Sequence, residues 1–409
     1  MPEATAPLQG LRVLDLTRVV FGPLSTRVLG DLGAEIWKVE PVGGDIGRQM
    51  GHVAAPDVSS IHLMCNGNKR GICLDLWHPA ARDVLLRLAA KADVVVHSMT
   101  PATIDAIGIG YADVAAVRPD VVYANCWGFG SGGRYAGMPA YDDVIQGLTG
   151  LVTLERQAVG ESRFSPSILC DKVCALYAAT GISAALYRRA TTGAGAELEF
   201  PMFELMTAFN AVEHLDERVF AESGNTGNTG YRRAVSTQRR PYRTVDGAVT
   251  ILPYKDRHWR SVTDLLGRPG LATDPRLATV AARSDNPGLV ATLLAGFAAV
   301  RHTDECLTAL RARNVPCGPV LGLDDLVEDP HLADVGFWQR LHHPKAGPVR
   351  LPGGRAGDRV APELGQHTGA ILAESGFSTD EIAALRADGV AHSAPDPLTT
   401  SLVGQEIQR

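Results

Sequence analysis

The sequence predicts an α/β protein with a large, mainly parallel sheet domain and a smaller α+β domain. Three observations carry this. Short apolar, β-branched runs alternate with helical stretches through the first half of the chain, the pattern of repeated strand–helix–strand units. A polar segment rich in Gly, Asn and Thr (222–241) then interrupts the alternation. After it come a hairpin signal and helices, and VPCGPVLGLDDLVEDP leads back toward the first domain. The expected division is 1–221 for the N-terminal part of the large domain, 222–325 for linker and small domain, and 326–409 for the return to the large domain.

In chain order, LRVLDL (11–16) reads as a strand, and PLSTRVLGDLG as a helix ending on Gly33. AEIWKVE (34–40) and KRGICLDL (69–76) are the second and third strands. PAARDVLLRLAAKA (79–92) is amphipathic, with Val84, Leu85, Leu88 and Ala89 on one stripe. DVVVHS (93–98) and VVYANCWGF (121–129) are further strands, with two short helices between them. A long helical stretch spans about 142–190. GAGAELEF (193–200) turns into a strand and the next twenty-odd residues look helical. Asp246-Gly247 marks a hairpin, and helices follow around 257–266 and 287–313. A late helix (376–389) starts with Ser378 as cap and Glu381 three residues on.

Composition is that of an ordinary globular chain: 409 residues, 45% hydrophobic and 21% charged, room for two to three domains. The net charge of −6 and the lack of a Lys/Arg block speak against nucleic acid or an anionic membrane as partner. Seven cysteines, an odd number with no CxxC pair, support neither a disulfide framework nor a zinc ribbon. The first residues lack a signal-peptide pattern, and no uninterrupted apolar run reaches the ~18 residues of a membrane span. A cytoplasmic protein is expected.

GFGSGG (128–133) follows a strand but precedes turn-like sequence, so it reads as a glycine turn rather than a dinucleotide fingerprint. No G-x-S-x-G nucleophile elbow occurs, and the scattered histidines predict no metal site. Lys69-Arg70 and the loop residues Arg232, Arg233, Arg239 and Arg240 are either solvated surface or a clamp for phosphate or carboxylate. In FSPSILCDKV (164–173), Ser165 and Pro166 look like a helix start, which puts Asp171 on the second turn of an apolar helix with no cation on its face. Burying a lone carboxylate is costly. Asp171 is either a structural carboxylate bonded to backbone N–H groups or a nucleophile, ionised at neutral pH, in a dry site.

Four blocks, LQGLRVLDLTRVVFGPLSTRVLGDLGAEIWKVEP, NGNKRGICLDL, RPDVVYANCWGFGSGGRYAGMPAYDDVIQGLTG and APELGQHTGAILAESGFS, stand at a specific spacing over nearly the whole chain. In them the sequence resembles the class III CoA-transferases, which include formyl-CoA:oxalate and carnitine CoA-transferases. The resemblance implies a large Rossmann-like domain, a ring-like chain and an interlocked homodimer. It implies no permanently bound cofactor, a coenzyme A thioester and a free carboxylic acid as substrates, and a catalytic aspartate about 30 residues after the PAYD block. That position is Asp171, 30 residues beyond Tyr141. Its carboxylate would form a mixed anhydride and then an aspartyl-CoA thioester.

Other positions follow from the same resemblance. Tyr141 matches a tyrosine near the thioester, Met202 a methionine lining the CoA site, Leu74 an apolar contact to adenine, and Arg48 a basic position near the CoA phosphates. Trp77 stands where many members have a basic residue, and His97-Ser98-Met99-Thr100-Pro101 replaces a common E-N-F-R-P stretch, with Ser98 and Met99 at CoA-contacting positions. Val20 replaces a glutamine that handles oxalate, which disfavours oxalate. A racemase branch of the family carries His before Asp where this chain has Tyr141-Asp142, which favours transfer over racemisation. A catalytically silent CoA-binding protein is a third reading. Arg18, Arg163 and the loop arginines point to a dicarboxylate such as succinate, whereas Val20, Phe21 and Trp127 equally suit a hydrophobic or aromatic acid.

Overall fold

The computed structural model describes residues 6–220, 227–353 and 359–393. It divides into two compact units, the first Met1–Thr149, Pro166–Phe209 and Asp334–Arg409, the second Gly150–Ser165 and Asn210–Ala333. The second thus also takes 150–165 and 210–221, which the sequence reading kept with the large domain.

The first unit starts with β1 (Arg12–Leu16), α1 (Phe21–Asp31) and β2 (Glu35–Glu40), then the short pair β3 (Val53–Ala55) and β4 (Val58–Ser59). There follow α2 (Ser60–Asn66), β5 (Lys69–Leu74), α3 (Ala81–Ala89), β6 (Val94–His97), α4 (Pro101–Ile107), α5 (Tyr111–Val117) and β7 (Val122–Trp127). The next helices are α6 (Asp142–Leu148), α7 (Leu151–Val159), which belongs to the second unit, and α8 (Leu169–Thr192), which leads to β8 (Ala196–Pro201) and α9 (Met202–His214).

The sheet order is β14-β5-β2-β1-β6-β7-β8, parallel except for β14 (Ala391–His392), which runs antiparallel to β5. From β1 the chain adds β2 and β5 on one side, then returns to add β6, β7 and β8 on the other. The reversal between β1 and β6 is a topological switch point, and crevices of this kind lie outside the carboxyl ends of the strands. The predicted α3 stripe is buried, Val84, Leu85, Leu88 and Ala89 packing into a core with Leu14, Trp37, Ile72, Val95 and Tyr123. Each of the larger side chains contributes about 1.5–3 kcal/mol by leaving water. The late helix, Thr379–Ala387, is capped as predicted: Ser378 Oγ accepts the Glu381 N–H at 3.2 Å and Glu381 Oε2 the Ser378 N–H at 2.6 Å.

The long helical stretch breaks into α6, α7 and α8 instead of running through. Gly150 (φ +87°) and Gly160 (φ +85°) take left-handed conformations that flank α7. Nor does α8 start at Ser165. It starts at Leu169, with Ile168 before it making no side-chain cap. The cap comes from far away: the Asp142 carboxylate accepts the Asp171 N–H at 3.0 Å. Asp171 therefore lies in the first turn, not the second. This helix has the length and composition of a membrane span, mean hydropathy 1.3 over its window, because alanines and other small residues raise its average without an uninterrupted apolar run. Here it packs against α1 and the β7–β8 edge. Gly181 permits the approach, since a Cβ there would meet the Phe200 ring at 2.5 Å.

The second unit carries the antiparallel sheet β11-β10-β9, made of β9 (Tyr242–Arg243), β10 (Ala248–Ile251) and β11 (Cys317–Pro319), with the predicted turn at Asp246-Gly247 between β9 and β10. Helices α10 (Asp256–Leu265), α11 (Val280–Asp285), α12 (Pro287–Ala298) and α13 (Thr303–Arg311) enclose its core of Val249, Trp259, Leu294, Phe297 and Leu310. The helix expected over 287–313 is broken where Glu305 caps the His302 N–H at 3.1 Å. The chain then returns through the hairpin β12 (Trp338–His343) and β13 (Gly347–Pro352).

Candidate active site at the carboxyl edge of the sheet

The residues singled out in the sequence share one topological property: each ends or follows a parallel strand. Val20 lies in the turn after β1, Arg48 follows β2 and Leu74 ends β5. Ser98 and Met99 follow β6, Tyr141 lies beyond β7 and Met202 directly follows β8. A helix that returns the chain to a parallel strand begins at that same edge, which brings the start of α8 there too. Cys174 Sγ lies 4.0 Å from the Met202 carbonyl oxygen, so Asp171 stands about one turn beyond the end of β8.

Asp171 is partly buried, and its carboxyl is raised to about 7. Burial is the larger cause and the nearby Asp142 carboxylate the second. The positive end of the α8 dipole acts the other way, favouring the anion. Asp171 therefore holds its proton to higher pH than an ordinary carboxylate, where the sequence reading expected a group ionised at neutral pH. Asp142 is itself buried, and its second oxygen accepts from Gln146 Nε2 at 2.5 Å, while Gln146 also donates to the Ser167 carbonyl at 3.3 Å. Sequence reading did not assign Asp142 or Gln146 to the site; the i, i+4 spacing of Asp and Gln was the available signal. Beside them Cys170 and Cys174 are fully buried, and burial pushes both thiols up, Cys170 to about 12, which leaves them unreactive packing groups.

The remaining positions separate by exposure. Tyr141 is 68% exposed, whereas Met202, Val20 and Met99 are buried. Ser98 Oγ accepts the Arg18 N–H at 3.0 Å across the switch point. Leu74 lies in the core cluster, so its side chain does not face a ligand cleft. Arg48, expected at the CoA phosphates, is only 2% exposed. Its guanidinium forks onto Glu40 at 2.7 and 2.6 Å and also donates to the carbonyls of Asp57 and Pro362 at 3.1 and 3.2 Å. That engagement takes it away from a phosphate role. Trp77 is 66% exposed.

The Lys69-Arg70 pair is neither solvated surface nor clamp. Lys69 Nζ is fully buried and donates to Asp15 at 2.9 Å, to the Pro23 carbonyl and Thr26 hydroxyl at 2.8 Å, and to Asn66 at 2.9 Å. Arg70 bridges Glu35 and Glu374 at 2.5 and 2.7 Å. Burial pushes the Asp15 carboxyl up, but the ammonium groups of Lys69 and Lys38 and the hydroxyls of Thr17 and Thr26 outweigh it and hold it at about 2. Lys38 continues the buried network to Asp45 at 3.2 Å.

The GFGSGG loop meets carboxylates of its own chain. Gly130 N–H donates to Glu204 at 3.0 Å and Ser131 N–H to Glu199 at 3.1 Å. Those contacts occupy donors that a pyrophosphate would need, in agreement with a glycine turn. Arg163 pairs with Glu155 at 3.5 Å, Arg232 with Glu217 at 3.9 Å, and Arg233 lies over the Tyr254 ring, all within the second unit. Arg239 and Arg240 are exposed. Among the described residues no three His, Cys, Asp or Glu side chains are grouped to hold a metal ion.

The chain is similar to known proteins over most of its length. Residues 8–368 match CoA-transferase family III. The chain is 30% identical to the formyl-CoA:oxalate CoA-transferase of Streptomyces avermitilis, over 94% of this chain and 100% of that one. It is 28% identical to the human succinyl-CoA:glutarate CoA-transferase, over 90% and 86%. A CAIB/BAIF family protein from Brucella suis superposes with a TM-score of 0.75 at 28% identity, covering 91% of this chain and 100% of that one. The chain belongs to CoA-transferase family III.

Proposed function

We propose that this enzyme moves CoA from an acyl-CoA donor to a free carboxylic acid by covalent catalysis at Asp171. The observation that supports this reading is the Asp171 carboxyl itself. It is partly buried at the start of α8, raised to about 7, and held beside Asp142 against an apolar wall of Cys170 and Cys174. A carboxylate with a raised pKa is a stronger nucleophile once ionised, and a dry wall protects an activated acyl group from water.

In the first step the ionised Asp171 oxygen attacks the thioester carbonyl; the C–S bond breaks, CoA leaves as thiolate, and a mixed anhydride remains. The thiolate then attacks the aspartyl carbonyl, releasing the first acid and leaving an aspartyl-CoA thioester. The acceptor carboxylate attacks that thioester and expels CoA again. The thiolate finally takes the new acyl group and frees Asp171. Donor and acceptor energies balance, so no ATP enters. A homodimer in the cytoplasm accompanies this reading. Large apolar side chains left exposed on α8 and α9, among them Leu176, Tyr187 and Val212, support the dimer.

An acyl-CoA racemase remains the alternative, because a group titrating near 7 also suits proton transfer at a carbon beside a thioester. Tyr141 in place of a histidine argues against it. One experiment decides: the purified protein is incubated in deuterium oxide with a panel of thioesters and free acids, and the thioesters are followed by HPLC and mass spectrometry. Transfer of CoA between acids without α-deuterium supports the proposal; α-deuterium without transfer overturns it.

A further inference from the structure

The turn between β1 and α1 is held more tightly than a connecting loop needs. Three consecutive backbone N–H groups each donate to a different side chain: Thr17 to Asp15 at 2.9 Å, Arg18 to Ser98 at 3.0 Å, and Val19 to both oxygens of Asp45 at 3.0 and 3.2 Å. Lys38 Nζ donates to the Thr17 carbonyl. Val19 has φ +71°, a conformation that a β-branched residue adopts only under constraint. Strain of this kind persists where the surroundings over-determine it, and it gathers at functional sites. Asp45 supplies much of that constraint. It is fully enclosed, ion-paired to Lys38 at 3.2 Å, and it also caps the turn at Ile46–Gln49 through the Gly47 N–H at 2.9 Å.

What the clamped turn carries outward is Arg18. Its side chain is exposed and its guanidinium makes no ion pair among the described residues, unlike Arg12, Arg27, Arg48 and Arg70 in the same unit. The turn lies at the switch point, and α1, which begins at its end, packs directly on α8, whose first turn bears Asp171. We infer that Arg18 binds the distal carboxylate of a dicarboxylic acid substrate, and that Asp45 is a positioning residue that holds Arg18 in place through the strained Val19. This assignment rests on the transfer reaction proposed above and names its substrate class.

The test compares glutarate with valerate, acids of equal chain length, as CoA acceptors from whichever thioester the panel finds active. Arg18→Gln should lower kcat/KM for glutarate by about tenfold or more, the loss expected of a charge-assisted hydrogen bond, while valerate is little changed. Arg18→Lys should restore part of the preference. Val19→Gly relieves the backbone strain without touching the buried ion pair, so it should fold at least as well as the parent. The N–H at that position still donates to Asp45 and glycine adopts the left-handed conformation freely, so this variant should keep the glutarate preference. Asp45→Asn, which weakens the clamp itself, should lower that preference through KM rather than kcat and add little to Arg18→Gln in the double variant. An unchanged ratio in Arg18→Gln overturns the inference. So does a rise in the thioester KM that is equal for both acids, which would place Arg18 on a CoA phosphate. If no acid is exchanged at all, the transferase reading fails. The inference is then decided by calorimetric binding of the same two acids, where loss of glutarate selectivity in Arg18→Gln supports it and equal binding by parent and variant refutes it.

Discussion

The backbone N–H of Asp171 donates to Oδ1 of Asp142 at 3.0 Å, and this one bond sets two properties of the site. It caps α8 from 29 residues away, and it fixes a second carboxylate beside the proposed nucleophile. The cap lies in α6 because the residues just before α8 offer none.

The first prediction concerns pH. Burial, and after it Asp142, lift Asp171 to about 7, and attack on a thioester needs the ionised form. Transfer measured as kcat/KM should therefore rise between about pH 6 and 8. Asp142→Asn keeps an oxygen for the Asp171 N–H but removes the charge. Its profile should move to lower pH, with a larger share of activity kept at pH 6. A profile that stays in place would show that Asp142 does not tune Asp171.

Stability should carry the opposite signature of the same group. The folded chain holds the Asp171 proton to higher pH than the unfolded chain does, so this residue costs stability as pH rises from the ordinary carboxylate range through about 7. Asp171→Asn removes that cost. Relative to the parent, its Tm should be higher at pH 8 than at pH 5 by calorimetry.

The buried ion network gives a third prediction. Lys69→Met strands the Asp15 carboxylate in a fully enclosed position and should cost about 3–5 kcal/mol in urea unfolding. The double variant Asp15→Asn/Lys69→Met should recover part of this. Because Asp15 is held at about 2, its contribution is present above the ordinary carboxylate range and fades as pH falls toward 2.

Arg48 gives a fourth. Its forked contacts to Glu40 are buried, and a lysine cannot reproduce them. Arg48→Lys should lower the Tm yet leave the KM for a CoA thioester within about twofold, since a structural loss need not touch binding. A tenfold rise in KM without a change in Tm would restore the phosphate role that the sequence implied.

Strand–helix alternation made the parallel sheet legible, because strands buried on both faces, such as Val94–His97, read as unbroken apolar runs. The late helix was legible from Ser378 and Glu381, whose bonds are local. Non-local bonds hid the rest. The start of α8 depends on Asp142, and the burial of Lys69 on Asp15, two strands away in the sheet. The fate of Arg48 depends on Glu40 and on the Pro362 carbonyl, 314 residues away. Asp171 was singled out only through the family resemblance and its distance from Tyr141; the raised pKa of its carboxyl was not legible, because burial and the Asp142 charge arise only on folding.

The most direct measurement is chemical trapping at Asp171. The protein is incubated with an acyl-CoA it exchanges, quenched with hydroxylamine, digested and sequenced by mass spectrometry. An anhydride or thioester at Asp171 would convert to a hydroxamate on that residue, dependent on acyl-CoA and absent from Asp171→Ala, which should also lose transfer by about 10³-fold or more. An unmodified Asp171 in a protein that turns over, or full transfer by Asp171→Ala, would contradict covalent catalysis at this position.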